Sequence, residues 1–176
     1  MKLCMFSPRE PFLERGWPGR IDGDIVIQLA AQTLQAFFTG GGQAREHAEY
    51  PLADVVFRPP VLHPPSVRLF DEAGDFVFAN PAAIKAADDD PGVAGAEAVE
   101  RVAAIIGADG AIGGFTPLVE WVAPQLQGAK QRDFALTLGP VVTTPDEGMP
   151  SGVDWERLVA HAAENSTLFP GDLIVR

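Results

Sequence analysis

A chain of 176 residues with 47% hydrophobic and 21% charged residues suits one globular domain, or a small lobe on a modest core. Its formal net charge of −11 argues against nucleic acid and anionic membrane partners, whose phosphates such a surface would repel. A single cysteine, Cys4, closes no internal disulfide, and no apolar run reaches bilayer length. The start, MKLCMFSPRE, meets a proline and two charges too soon for a signal-peptide core, so the cytoplasm is the expected compartment.

The 18 glycines and 16 prolines divide the chain into short pieces and favour a β-rich fold with many turns. Lys2–Phe6 is apolar and strand-like. Gly19–Ile21 and Ile25–Gln28 flank Asp22-Gly23, a hairpin dipeptide because glycine tolerates positive φ. Helical spacing follows over Ala30–Phe38, with Leu34, Phe37 and Phe38 on one side, until Gly40-Gly41-Gly42 stops it. No lysine-serine or lysine-threonine pair follows that triplet, so it is no phosphate loop.

Pro51 and the pairs Pro59-Pro60 and Pro64-Pro65 make 51–65 a stiff, extended link. It would join a small N-terminal lobe, 1–50, to a core, 66–176. Val67–Phe70 and Phe76–Phe78 are strand candidates around a turn at Gly74. Asp88-Asp89-Asp90 reads as a solvated turn, because Gly92 falls on a ligand position of a calcium loop. Gly95–Gly107 stays open: Ala96, Glu97, Ala98, Glu100 and Ala103 favour helix, Val102, Ile105 and Ile106 a strand. Asp109-Gly110 and Gly113-Gly114 mark turns, and Leu136–Thr143 is a strand broken by Gly139-Pro140. The spacing of Trp155, Leu158, Val159 and Ala162 predicts a helix over 153–164, with Ser151 as N-cap and Asp154 three residues on. Pro170-Gly171 then leads into a last strand, Asp172–Val175.

Familiar catalytic patterns are missing. His47, His63 and His161 are scattered, which disfavours zinc, and no serine sits in a GxSxG elbow. Cys4 lies in the first strand with no histidine nearby in sequence, and is expected to be buried rather than reactive.

Several stretches, taken in order, resemble the fumarylacetoacetate hydrolase family. They are MKLCMFSP, DGDIVIQLAAQTLQAFF, PPSVR at 64–68, FANPAAI at 78–84, VAAIIG at 102–107, GFT at 114–116, LGPVVTTPDE at 138–147 and TLFPGDLI at 167–174. The resemblance implies an α+β, mainly β fold, a rolled core of antiparallel and mixed sheets carrying the small N-terminal β-meander and helix. It also implies a strand over 98–106 and pairing as a homodimer. The family's chemistry is metal-dependent hydrolysis, tautomerisation or decarboxylation of acylpyruvate-like 1,3-dicarbonyl or 2-keto acids. Magnesium or manganese on carboxylates holds the substrate's oxygens and the enolate that forms.

Carried across by position, the family's ExE metal ligands fall on Val99 and Arg101, neither of which binds a cation. Glu97 and Glu100 are out of step, because strand residues i and i+3 face opposite sides. The third ligand falls on Glu120, the residual metal ligand, while the segment's later arginine and aspartate become Pro124 and Gln125. The lid that supplies a catalytic histidine and glutamate shrinks to LFDEAGDFV, and the loop after TLxPGD is absent. Lys130, three before Asp133, matches the family's substrate-facing lysine and is the candidate for stabilising substrate charge. No cofactor is expected, or magnesium or manganese if a site persists. The expected partners are a keto-acid small molecule and a second copy of the chain or a full-length paralogue.

Overall fold

The computed structural model describes residues 1–176 and is built almost wholly from strands. In chain order these are β1 (Lys2–Pro8), β2 (Trp17–Asp22), β3 (Ile25–Leu29), β4 (Glu46–Pro51), β5 (Val55–Arg58), β6 (Val67–Phe70) and β7 (Phe76–Ala79). There follow β8 (Ile84–Ala86), β9 (Glu97–Ile106), β10 (Ile112–Val122), β11 (Leu136–Leu138), β12 (Val141–Thr143) and β13 (Leu173–Val175). The helices are α1 (Leu34–Thr39) and α2 (Trp155–Ala163). One continuous 13-stranded sheet runs β4-β3-β2-β1-β12-β10-β9-β13-β6-β7, with β11 and β8 branching from β10 and β5 from β1. Only β13–β6 and β11–β8 are parallel.

The N-terminal residues form the expected meander, β1 to β3, followed by α1; β4, for which the sequence carries no strand expectation, adds to β3, and β1 pairs with β12, which ties the meander to the rest of the sheet. The first hairpin pairs Asp22 with Ile25, and Gly23 takes φ +55 in the two-residue turn. Within the proline-rich 51–65 segment, β5 lies antiparallel to β1. Residues 97–106 form a strand in spite of their helical propensity, because β9 is held by β10 on one side and β13 on the other.

The long hairpin β9–β10 is the spine of the molecule. Ala103 and Ile105 face a large core with Leu118, Leu136, Leu138, Val67 and Leu69, which α1 closes with Leu34, Phe37 and Phe38. Ala104 and Ile106 face the other way, where α2 packs Trp155, Leu158 and Ala162 on Phe70, Phe115 and Ile174. A third cluster joins Cys4, Phe6, Val26 and Val55.

Three sequence expectations are corrected. α1 starts at Leu34 rather than Ala30, because the Thr33 side chain accepts from the Ala36 amide and caps it there. α2 is capped by Asp154, which accepts from the Arg157 amide at 3.0 Å, and Ser151 lies in the preceding turn. Gly113-Gly114 is no turn: both lie inside β10, at a bulge where the register with β9 shifts between Ile112 and Gly114. These glycines serve close approach. A Cβ on Gly113 would stand 2.8 Å from the Phe38 ring, and one on Gly114 2.5 Å from Val142.

Gly113→Ala should therefore lower stability by about 1–3 kcal/mol through overpacking, measured by urea unfolding. A neutral result would show that Phe38 moves aside freely. Burial also pushes the Cys4 thiol up to about 12 from its ordinary value of 9.0. At pH 8 the native protein should resist a thiol reagent that labels the unfolded chain at once. Because the unfolded thiol ionises first, stability should fall as pH rises through the window from 9 to 12, an effect that Cys4→Ala removes.

Candidate functional site

Glu120 stands in the middle of β10, opposite Val99 of β9 on one side and Leu136 of β11 on the other. Strands on both flanks leave its side chain 0% exposed. A carboxylate so placed must be fully hydrogen-bonded or it would destabilise the fold by several kcal/mol. Two arginines meet that need. Arg101 donates from Nε to Oε2 at 2.8 Å, and Arg132 from Nη1 to Oε1 at 3.1 Å.

The two cations arrive by different routes. Arg101 continues the inward row of Ala103 and Ile105 along β9, and its side chain is 18% exposed. The cross-strand pairing places Val99, Arg101 and Glu120 on one face. Arg132 follows the short 3-10 turn Gly128–Gln131, reaches back across the end of β11, and is 57% exposed. That turn is fastened to β10 through the Ala123 amide, which donates to the Gln131 carbonyl at 2.8 Å.

Glu97 and Glu100 lie on opposite faces of β9 and are both exposed. No trio of carboxylate, imidazole or thiol groups gathers within reach of one cation. The donor set around Glu120 does not fit a divalent ion, because both oxygens already accept from guanidinium groups whose charge opposes one. Lys130 sits on the same 3-10 turn, 76% exposed, with its ammonium 2.8 Å from Asp133. The chain between β6 and β7 is a tight turn, in which the Asp71 amide donates to the Asp75 carbonyl and the Gly74 amide to the Asp71 carbonyl.

Between that hairpin and β9 lies a cavity of about 240 Å³, lined by apolar Leu69, Phe70, Phe76 and Val77, by Asp71 and Asp75, and by Arg101 and Arg132. A larger cavity, about 740 Å³, lies by α2 and the 166–170 loop, and its lining contains Asp109 but no lysine or arginine. The smaller one is the cavity that Arg101 and Arg132 line. In the sequence Arg101 reads only as a lost ligand, and Arg132 belongs to no motif. The available signal was Arg101 lying diagonal to an acidic residue across an antiparallel pair.

No protein-family model and no curated protein matches the sequence. Solved structures do match over nearly the whole chain. Maleylpyruvate hydrolase from Sphingobium sp. SYK-6 superposes with a TM-score of 0.77 at 21% identity, covering 99% of this chain and 87% of that one. Its complex with manganese(II) and pyruvate gives 0.75 at 20% identity, covering 98% and 86%. 2-Keto-3-deoxy-D-arabinonate dehydratase complexed with magnesium and 2,5-dioxopentanoate gives 0.72 at 14% identity, covering 99% and 86%. These neighbours belong to the fumarylacetoacetate hydrolase superfamily. At such identities the likeness is one of fold, and the chain has the β-rich fold of that superfamily.

Proposed function

We propose that this chain is a fumarylacetoacetate hydrolase family protein of the keto-acid-handling type, impaired in the family's metal-dependent chemistry. One observation carries the second half: both oxygens of Glu120 are engaged by arginines. Magnesium needs several oxygen ligands in near-octahedral geometry, and here a single carboxylate would first have to shed two cations. The keto-acid half is supported by the neighbours, which are named for keto-acid substrates and carry manganese with pyruvate or magnesium with 2,5-dioxopentanoate. No cofactor is assigned to this chain. Lys130 keeps its proposed role of stabilising substrate charge, and the cytoplasm remains the proposed compartment.

Calorimetry with magnesium or manganese should find no tight site in the wild-type protein, whereas a sub-micromolar site would overturn the impairment. The double variant Val99→Glu, Arg101→Glu rebuilds an ExE pair on the face of Glu120 and should gain manganese affinity. A folded variant that stays inert would show the ligand positions to be misassigned. Acylpyruvate and oxaloacetate should turn over no faster than in buffer, with either metal or with a chelator. Turnover abolished by Lys130→Met would restore the enzyme reading.

A second reading, a non-catalytic subunit paired with a full-length family member or with its own copy, is favoured by β7. That strand ends the sheet and exposes Val77 and Phe78, the latter at 67%. Light scattering should then find a dimer, and Phe78→Asp should shift it toward monomer. A wild-type monomer that captures no full-length paralogue would remove this reading.

A further inference from the structure

We infer that the cavity between β9 and the β6–β7 hairpin binds a small monocarboxylate directly on Arg101 and Arg132, without a divalent metal. The argument begins with unused donors. Arg101 spends only Nε on Glu120, and its two terminal nitrogens have no partner within the protein while the residue lines the cavity. Arg132 spends one terminal nitrogen on Glu120, which leaves Nε and the other free of protein partners. Guanidinium forks match the two oxygens of a carboxylate, with parallel donors and charge assistance.

Charge and size narrow the ligand. Within the cluster of Arg101, Arg132 and Glu120 one positive charge is left over, while Asp71 and Asp75 bring two negative charges to the cavity lining. A volume of about 240 Å³ holds an acid of a few carbons, roughly eight waters' worth at about 30 Å³ each. Leu69, Phe70, Phe76 and Val77 suit a short apolar tail. Asp71 and Asp75 also line the cavity, and both serve the hairpin: Asp71 Oδ1 accepts from the Asp75 amide, and Asp75 Oδ1 from the Phe76 amide. Asp75 also lies 3.8 Å from His161. Both carboxylates are exposed, so water and salt screen them from an anion held on the arginines. A second carboxylate on the ligand would still meet them, which favours monocarboxylates over dicarboxylates.

This inference rests on the keto-acid reading only in the choice of pyruvate as one probe. Binding of pyruvate, propionate and malonate is to be measured by calorimetry and amide chemical shifts in a chelator. Pyruvate and propionate should bind with Kd on the order of 1 mM, as suits so few heavy atoms. Malonate should bind several-fold more weakly. Arg132→Gln, at an exposed position, should weaken both monocarboxylates about tenfold or more. Arg101→Lys should do the same while keeping a cation beside Glu120, a safer change than one that strands the buried carboxylate. Glu120→Gln removes the negative charge that offsets the two guanidinium groups and should tighten binding several-fold, which a merely structural role would not produce. The inference falls if neither monocarboxylate binds, or if affinity is unmoved by Arg132→Gln and Arg101→Lys; the impairment reading survives either result. Binding that appears only with added manganese overturns both.

Discussion

The one-residue bulge at Gly113 governs what β10 presents to β9. Without it the hairpin would place Glu120 opposite Ala98, on the strand face that Glu100 shares. With it, Glu120 stands opposite Val99 and shares a face with Arg101, Ala103 and Ile105. The bulge is possible because glycine there admits Phe38 of α1 against the backbone. A packing contact at one end of the spine therefore sets the electrostatics at the other. Every later feature of the site, including the salt bridge, the arginine-lined cavity and the crowded carboxylate, inherits that register.

Glu120 shows how a buried charge can be retained with no metal assigned to it. A carboxylate between three strands has no water to solvate it, so its stability depends on fixed donors of opposite charge. Arg101 and Arg132 supply one hydrogen bond to each oxygen. Guanidinium groups are well suited to this because they are weakly hydrated and present several donors in one plane. A divalent ion concentrates its charge at a point and demands converging oxygens, whereas the arginines spread theirs and leave outward-facing donors. Such an arrangement suits pairing with a carboxylate better than holding a divalent ion.

The rest of the core keeps this arrangement rigid. Over Ala103–Ile106 the two faces of β9 are buried in separate clusters, one closed by α1 and one by α2. Fully burying a large apolar side chain is worth roughly 1.5–3 kcal/mol, so residues such as Trp155, Leu118 and Ile105 hold the spine strongly. The hairpin of β6 and β7 is held less completely, with Val77 and Phe78 open to solvent at the sheet edge. Arg68, beneath the rings of Phe76 and Phe78 and bonded to Ser66, stiffens its inner strand.

The sequence by itself determined the elements whose signals are local. The apolar runs of β1, β6 and β12, the stripe of Trp155, Leu158 and Ala162, and the turns at Gly23 and Gly74 each depend on a few adjacent residues. The ordered family-like stretches added the strand at 98–106, where propensity alone was divided. Short-range ambiguity explains the local errors, since glycine serves turns and tight packing alike, and Ser151 and Asp154 both suit an N-cap. Only the tertiary structure decided the site. Arg132 and Glu120 lie 12 residues apart on different elements, and Arg101 and Glu120 lie 19 apart across a bulged hairpin. Their meeting depends on strand register and on a packed glycine, which are properties of the assembled sheet that no short window of sequence contains.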